Sequence, residues 1–360
     1  MKIFFDNQIF YNQHYGGVSK YFVELIKKLK MLNVSLKISG PFYINQYLYD
    51  AQKELNFSGI KLNSRKYSFI FNNINNFFFT INNLLYAPNI IHSTYYTNRH
   101  IDKKTNLVIT VYDLVHEIYN NSFFKNTKHD KKKILERANH IICISESTKK
   151  DLIHYYNIPD NKVSVIYLAA SNSLKFDINI NNTKPYILYV GSRRRYKNFN
   201  ILIDAYSQSK KVYDNFDIVC FGGGFFLNEE YRYFKEKNIN LDKIKFVHGD
   251  DNLLYNYYKN ASCLVYPSLY EGFGLPIIEA MSMSCPVISS NTSSMPEVYA
   301  DSAISFNPEY SEELMDKLEN LLFDSYCQIK LKNKGLVRSK EFSWAKCARE
   351  TQSVYKKLIN

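Results

Sequence analysis

The sequence lacks the cysteine pairs and long apolar runs that are typical of secreted and membrane-spanning proteins. Its six cysteines are scattered over 360 residues without a CxxC pair, and most lie in apolar, strand-like runs. Buried, reduced thiols therefore fit better than disulfides or zinc ligands, which favours a cytoplasmic protein. The most apolar window, 67–86, is interrupted by asparagine pairs, whereas a spanning helix needs about 20 largely apolar residues. No signal peptide is expected from the first residues.

Metal-binding and nucleic-acid-binding motifs are also missing. There is no His/Cys array and no DxD motif beside a predicted strand, so we expect no metal and no cofactor. The formal net charge is +12, from 46 basic and 34 acidic residues. Such a balance is compatible with phosphorylated substrates, anionic lipids or nucleic acid. Because no nucleic-acid recognition module is present, we expect no nucleic-acid partner.

Short β-branched runs alternate with amphipathic segments along the chain, which is typical of parallel α/β units. The length of 360 residues fits two domains, and the polar stretch 171–185 is interpreted as a linker. We expect an α/β protein with two doubly wound, Rossmann-like domains, 1–175 and 176–340, facing each other across a cleft. A C-terminal helix over 341–360 can cross back to the first domain.

The most informative motif reads EGFGLPIIE and follows the strand-like run CLVYPS. Its glycines let a ligand approach the backbone, and its proline suits the first turn of a helix whose N-terminus favours a diphosphate. The carboxylates of Glu271 and Glu279 can both face the cleft and accept hydrogen bonds from sugar hydroxyls. The alternative, a solvated loop acid and a helix-face acid, stays open from the motif alone.

Two further loops lie at predicted strand ends. The first is basic and contains Arg193 and Lys197, which can bind phosphate oxygens as a bidentate fork and as a point charge. A solvated surface run is the alternative. The second contains Gly16 and Gly17, whose N–H groups can cradle a diphosphate at the start of a helix.

These motifs resemble those of the retaining glycosyltransferases of the GT-B fold known as family 4, in which E-x7-E is characteristic. The resemblance covers nearly the whole chain. Further matching segments are YGGVSKY (15–21), HSTYY (92–96), ITVYDLVHE (109–117), CISESTKKDL (143–152), YVGSRRRYKNFNILIDAY (189–206), FGGG (221–224) and FSWAKCARET (342–351).

The resemblance assigns roles in a donor-binding second domain. It implies that Glu279 binds the nucleotide ribose and that Glu271 binds hydroxyls of the donor sugar. The backbone of Phe273, Gly274 and Leu275 would lie near the sugar and the diphosphate. Lys197 matches the family lysine.

The partner of Lys197 is a choice among three arginines of the same loop. Arg193 fits the family arginine best, and Arg194 and Arg195 remain alternatives.

The first, acceptor-side domain is less clearly defined. Tyr112 stands where family members commonly carry a histidine. We expect Asp113 and His92, together with Glu271, to be catalytic residues of the site, and His116 is close enough in sequence to compensate for the missing histidine.

By this resemblance the protein transfers a sugar from a nucleoside diphosphate sugar to a glycan or lipid-linked glycan, with retention of anomeric configuration. The match favours enzymes of bacterial O-antigen or capsule assembly and a GDP-linked donor such as GDP-mannose. A non-catalytic sugar-nucleotide-binding partner subunit is the alternative.

The basic stretch 125–137 and the aromatic window 67–86 suggest peripheral contact with the inner face of the membrane.

Overall fold

The computed structural model describes residues 1–64, 68–96, 104–119, 125–170, 180 and 184–360. The chain divides into two compact units. The first comprises Met1–Leu168 and Ser343–Asn360, and the second comprises Ala169–Phe342. Most of the stretch 171–185, interpreted above as a linker, lies outside the described residues.

The first unit is built on a parallel sheet. Its strands are β1 (Lys2–Phe5), β2 (Ser35–Ile38), β3 (Phe42–Tyr43), β4 (Ile60–Lys61), β5 (Ile90–Ser93), β6 (Asn106–Val111), β7 (His140–Cys143) and β8 (Val163–Val165). Six of them form one sheet in the order β2-β1-β5-β6-β7-β8, and β3 pairs with β4. In the register of the central strands, Ile3 pairs with Leu36 on one side and with Ile90 on the other. The central strands are buried along their length because helices cover both faces.

The helices that connect these strands are amphipathic. They are α1 (Gln8–Asn12), α2 (Gly17–Met31), α3 (Gln46–Leu55), α4 (Ser68–Tyr86), α5 (Val115–Ile118), α6 (Lys125–Arg137) and α7 (Glu146–Tyr156). In α2, the apolar residues Phe22, Leu25 and Leu29 recur at helical spacing and are fully buried. Side-chain caps fix two helix starts, since Asn45 accepts from Leu48 N and Ser145 accepts from Thr148 N.

None of the described helices combines the length and hydropathy needed to cross a bilayer.

The second unit has a parallel sheet with a single reversal of strand order. Its strands are β9 (Tyr186–Val190), β10 (Asp217–Phe221), β11 (Ile244–Val247), β12 (Cys263–Tyr266), β13 (Val287–Ser290) and β14 (Ile304–Phe306). They lie in the order β11-β10-β9-β12-β13-β14. From β9 the chain adds β10 and β11 on one side of the sheet. It then crosses to the other side of β9, where β12, β13 and β14 follow. This is the doubly wound arrangement expected from the sequence.

The helices of the second unit lie between its strands and after the last one. They are α8 (Phe199–Gln208), α9 (Lys210–Asn215), α10 (Asn228–Glu236), α11 (Asp251–Asn260), α12 (Leu275–Ser282), α13 (Met295–Tyr299), α14 (Ser311–Leu322) and α15 (Ser325–Ser339). Helices α8 and α14 pack against each other through a core that includes Leu202, Leu318 and Phe234. The sheet is therefore covered by apolar helix faces, which leaves its polar groups at the ends of the strands.

The last helix, α16 (Trp344–Ile359), belongs to the first unit although it follows the second in sequence. Ser343 caps it by accepting from Lys346 N. The ring of Trp344 lies 6.2 Å from that of Tyr21, and Asn106 donates to the carbonyl of Leu358 at 2.9 Å. Helix α16 is thus part of the core of the first unit.

His92 lies inside this core rather than at a substrate surface. It is fully buried on β5, with Nδ1 2.6 Å from the hydroxyl of Tyr355 and Nε2 2.9 Å from that of Thr110. Burial lowers the pKa of the imidazole to about 3. The catalytic role predicted for His92 is therefore corrected: it is a neutral core residue that joins α16 to the sheet.

The burial of His92 makes the stability of the protein depend on pH. Because the pKa of His92 is about 3 in the folded protein and about 6.5 when exposed, the unfolded chain binds more protons between these values. The free energy of unfolding therefore decreases as the pH falls from 6.5 towards 3. We expect the melting temperature of His92→Gln to depend less steeply on pH over this window than that of the wild type. His154→Gln, at an exposed site, is the control; equal slopes for all three proteins would contradict the prediction.

Candidate functional site

The reversal of strand order in the second unit defines where its candidate site lies. Strands β9 and β12 are neighbours, but the chain leaves them in opposite directions. The loops that follow them therefore diverge at the carboxyl edge of the sheet, where ligands of doubly wound proteins bind. The predicted residues Lys197 and Glu271 lie in these two loops.

Lys197 and Glu271 are in direct contact. The Nζ of Lys197 lies 2.6 Å from Oε1 of Glu271, and the hydroxyl of Ser268 donates to the same oxygen at 2.6 Å. The lysine and glutamate side chains are 19% and 12% exposed, respectively, so both are mostly buried and keep some surface at the strand edge. The ammonium also lies 5.6 Å from the centre of the Tyr266 ring. The structure thus provides a paired cation and carboxylate at the strand edge.

Serines at the start of α13 hold the loop that carries Glu271. The hydroxyls of Ser293 and Ser294 donate to the Glu271 carbonyl at 2.6 and 2.9 Å, and Ser294 also donates to the Phe273 carbonyl at 3.1 Å. Sequence reasoning did not identify these serines as site residues. The sequence feature that could have identified them is the Ser-rich run after β13, the strand that lies beside β12 in the sheet.

The start of α12 presents backbone rather than side chains. Gly274 has φ +101° immediately before the helix, a conformation that disfavours other residues. Phe273 is buried and packs against Phe342 with the ring centres 5.7 Å apart. The first N–H groups of a helix generally favour an anion. In α12, Pro276 has no N–H and the N–H of Ile277 donates to the Gly274 carbonyl at 2.9 Å, so an anion would be bound by the backbone just before and at Leu275. The segment 273–275 is therefore suited to binding through its backbone, the role that the family resemblance implies.

Glu279 lies further along α12 and is only 6% exposed. Tyr258 and Tyr255, on α11, donate to its two carboxylate oxygens at 3.2 and 3.4 Å. Burial and the nearby Glu279 carboxylate raise the pKa of Tyr258 well above its usual value, so the tyrosine remains a donor. Sequence reasoning missed both tyrosines, because no local motif shows that they reach Glu279.

The side chain of Arg193 contacts Glu230 and the loop after β10 rather than Lys197 or Glu271. Its Nε lies 2.6 Å from Oε1 of Glu230, and its terminal nitrogens donate to the carbonyls of Gly222 and Gly224 at 3.1 and 2.9 Å. The guanidinium side chain is 2% exposed. The prediction that Arg193 binds phosphate is therefore corrected, because the side chain is almost fully buried and each of its three nitrogens donates to protein oxygens.

In the first unit, Gly16 and Gly17 mark the start of α2. Gly17 is the first helical residue. A Cβ at Gly16 would lie 2.4 Å from Oε1 of Gln13, and this same oxygen accepts from the backbone N of Ser19. The absence of a side chain at Gly16 thus allows Gln13 to brace the loop before the helix.

Asp113 follows β6 and is held from both sides. Its Oδ1 accepts from Val115 N at 3.2 Å, and its carbonyl accepts from Lys131 at 3.1 Å. Lys131 has no exposed side-chain surface and pairs with Glu117 at 3.0 Å. Tyr112, which precedes Asp113 in the sequence, is buried, and burial raises the pKa of its phenol well above the usual value. The loop of Asp113 is therefore rigidly positioned, whereas Tyr112 serves mainly in packing.

A buried carboxylate that sequence reasoning missed lies at the strand reversal of the first unit, between β1 and β5. Asp6 is 1% exposed and accepts from Gln8 Nε2 at 2.7 Å and from Ser93 Oγ at 2.8 Å. Thr94 also donates to it. The position of Asp6 directly after the first strand was the available signal.

Each unit thus has its own set of polar groups at its strand edge. In the second unit, Lys197 and Glu271 meet, and Glu279 with the backbone of 273–275 lies on the adjoining helix; Arg193 is not part of this set. Within the described residues, no three His, Cys, Asp or Glu side chains are grouped as a metal site would require.

Two relatives share clear sequence similarity with this chain. The O-antigen chain mannosyltransferase B of Escherichia coli is 29% identical over 241 residues, covering 62% of each chain. The O-antigen chain mannosyltransferase RfbU of Salmonella typhimurium is 31% identical over 234 residues, covering 62% of this chain and 63% of the relative. The similarity therefore spans somewhat less than two thirds of these relatives.

Solved structures show the same fold. Sucrose-phosphate synthase from Thermosynechococcus elongatus superimposes with a TM-score of 0.78 over 99% of both chains, at 19% identity. The prediction of a GT-B fold with two Rossmann-like domains is confirmed.

Family models account for most of the chain. The model described as Glycosyltransferase Family 4 matches residues 15–170, and the model described as Glycosyl transferases group 1 matches residues 170–335. The second match contains Lys197, Glu271 and Glu279. The chain therefore belongs to the glycosyltransferases of group 1, the family that its motifs resemble.

Proposed function

We propose that this protein transfers mannose from GDP-mannose to a glycan or lipid-linked glycan, with retention of anomeric configuration, in surface polysaccharide synthesis. The observation that carries the proposal is the contact between Lys197 and Glu271 beside the start of α12. A cation, a carboxylate and a helix N-terminus together match a ligand that has both phosphates and hydroxyls. The names of the two O-antigen relatives support mannose as the sugar.

In this proposal the second unit stabilises the leaving nucleoside diphosphate. Negative charge grows on the diphosphate as the glycosidic bond breaks, and fixed positive charge nearby lowers the barrier. Lys197 and the backbone N–H groups of the segment 273–275 supply this charge, so we expect turnover without a divalent metal. The carbonyl and hydroxyl contacts of Ser293 and Ser294 keep the loop in place before substrate arrives.

Glu271 acts on the donor sugar as a hydrogen-bond acceptor. Its Oε1 already accepts from Lys197 and Ser268, which reduces the nucleophilic character of the carboxylate. Its remaining acceptor capacity suits sugar hydroxyls. The acceptor hydroxyl then attacks on the face from which the diphosphate leaves, and its proton passes to the departing phosphate. Retention follows without a covalent enzyme intermediate.

We further propose that the first unit contacts an anionic membrane surface through α4. This helix contains no charged residue, and several of its large apolar side chains are exposed, among them Phe69 (78%), Phe77 (61%), Leu84 (73%) and Leu85 (78%). A group of exposed large apolar side chains of this kind marks an interaction site on a protein surface.

The surroundings of α4 favour a lipid surface over another apolar partner. Lys2 donates to the carbonyl of Tyr86 at the end of α4, and Lys37 lies 5.9 Å from the centre of its ring. The connections through α4 and α6 cross the sheet in the same direction, so right-handed crossovers place both helices on one face. Helix α6 therefore lies on the same face of the sheet as α4, and its exposed Lys132 and Lys133 supply positive charge that suits anionic headgroups. The protein would then work at the inner face of the membrane.

Nucleotide binding gives the first test. Purified protein is heated with GDP, UDP, CDP and GDP-mannose, and we expect GDP and GDP-mannose to raise the melting temperature most, since a ligand that binds only the folded state stabilises it. The shift should be the same with and without EDTA. A larger shift with UDP would refute the choice of base, and no shift with any nucleotide would refute the donor site.

The second test removes the carboxylate. Glu271→Gln should lower mannosyl transfer by about 10²- to 10³-fold, the usual effect of losing one preorganised polar contact in the transition state. Melting curves establish whether the variant folds, and Glu309→Gln, at an exposed site of the same unit, should retain wild-type turnover. A folded wild-type protein that binds GDP but transfers no sugar would instead favour the binding-subunit alternative.

Membrane contact is tested by flotation. At low salt we expect the wild type to float with vesicles of phosphatidylglycerol and phosphatidylcholine and to be released as salt rises. The double variant Leu84→Asn/Leu85→Asn should remain in the dense fraction. Its control, Tyr326→Asn/Ile329→Asn, removes two exposed apolar side chains from α15 and should float normally. Equal flotation of the two variants would rule out α4 as the contact surface.

A further inference from the structure

The loop after β10 has a backbone conformation that the chain alone does not favour. Gly222, Gly223 and Gly224 have φ values of +80°, +75° and +81°. Three successive residues at such φ values strongly favour glycine, which also loses the most conformational freedom when it is ordered. Some other part of the unit must therefore hold the loop in this shape.

Arg193 supplies the missing contacts. Its Nη1 donates to the carbonyl of Gly222 at 3.1 Å, and its Nη2 donates to the carbonyls of Gly224 and Phe225 at 2.9 and 3.0 Å. The guanidinium also lies 4.5 Å from the centre of the Phe226 ring. One side chain from the loop after β9 thus binds most of the loop after β10.

Glu230 fixes Arg193 in turn. Its Oε1 accepts from the arginine Nε at 2.6 Å, and its Oε2 accepts from Nη2 at 3.4 Å. The same Oε2 accepts from Leu227 N at 2.7 Å, at the beginning of α10. The glutamate side chain is 11% exposed. The pair therefore joins the ends of β9 and β10 to the helix that follows.

The two loops are also in close contact through their backbones. A Cβ at Gly223 would lie 2.5 Å from the carbonyl oxygen of Gly191 and 3.1 Å from Nη1 of Arg193. Gly191 has φ +116°. A shift of the glycine loop would therefore displace the start of the segment that leads to Lys197.

We infer that Arg193 and Glu230 are a positioning pair, which sets the shape of the loop Gly222–Phe225 and of the segment leading to Lys197 without touching the donor. This inference rests on the proposed function, because one of the two positioned segments leads to Lys197, which is assigned to the donor diphosphate. It divides the cations of one loop into two roles: Lys197 faces the diphosphate, and Arg193 holds the backbone around it.

A double-mutant cycle tests the inference with GDP and GDP-mannose as probes. Arg193→Lys keeps the positive charge but loses the planar guanidinium with its several N–H donors. Glu230→Gln loses the carboxylate that fixes the arginine. Each should weaken GDP binding by about tenfold or more, the scale of a charged hydrogen bond. The double variant should bind no more weakly than either single variant, since both disrupt one unit. In turnover, the KM for GDP-mannose should rise while kcat changes less.

Matched controls lie on the same helix. Glu229→Gln and Arg232→Lys make the same chemical changes at exposed positions of α10 and should leave GDP binding unchanged. If Arg193 instead bound the phosphates directly, Glu230→Gln would release its fork, and GDP binding would be retained or tightened. That result would overturn the inference.

Hydrogen exchange separates the inference from the proposed function. Amides of residues 222–226 should exchange faster in Arg193→Lys and Glu230→Gln, while those of β12 remain as in the wild type. If the wild type binds no nucleoside diphosphate, the proposed function fails, yet the exchange result still decides whether the pair holds the loop. Unchanged exchange in both variants would refute the positioning role. Should Arg193→Lys fail to fold, Glu230→Gln provides the same readout.

Discussion

In a parallel sheet, every strand ends at the same edge, and each return connection needs a helix. The two sheets of this protein obey this constraint, and each reverses its strand order once, at β1/β5 and at β9/β12. The loops that follow these neighbouring strands diverge there, at the carboxyl edge of the sheet. The polar residues of both units, including Asp6 in the first and Glu271 in the second, gather at these edges because the apolar helix faces exclude them elsewhere.

The sequence was sufficient to predict the fold class and much of the donor-side loop. Alternating strand and helix patterns indicated the doubly wound sheets, and the glycines and proline around Gly274 indicated a helix start. These features are local, since they arise from the periodicity and the backbone preferences of neighbouring residues. The contact of Lys197 with Glu271 was not visible in the same way, but both residues followed predicted strands.

Predictions failed where a side chain's partner is distant in sequence. Arg193 was interpreted as a phosphate ligand because its charge and loop position fit, yet Glu230 neutralises its charge and the glycine loop accepts hydrogen bonds from it. His92 was interpreted as catalytic, yet Tyr355, contributed by the last helix, occupies one of its ring nitrogens. Charge and chemical type are local properties of a residue. Whether the charge remains available depends on tertiary contacts that no motif records.

The return of the last helix to the first unit has a consequence for folding on the ribosome. The second unit is continuous in sequence and is complete once Phe342 has been made, whereas the first waits for residues 343–360. Until then, the surface around Tyr21 and His92 lacks Trp344 and Tyr355. The first unit is thus the first to be synthesised and the last to be completed. Until α16 covers it, its core is the part of the nascent chain most exposed to chaperones.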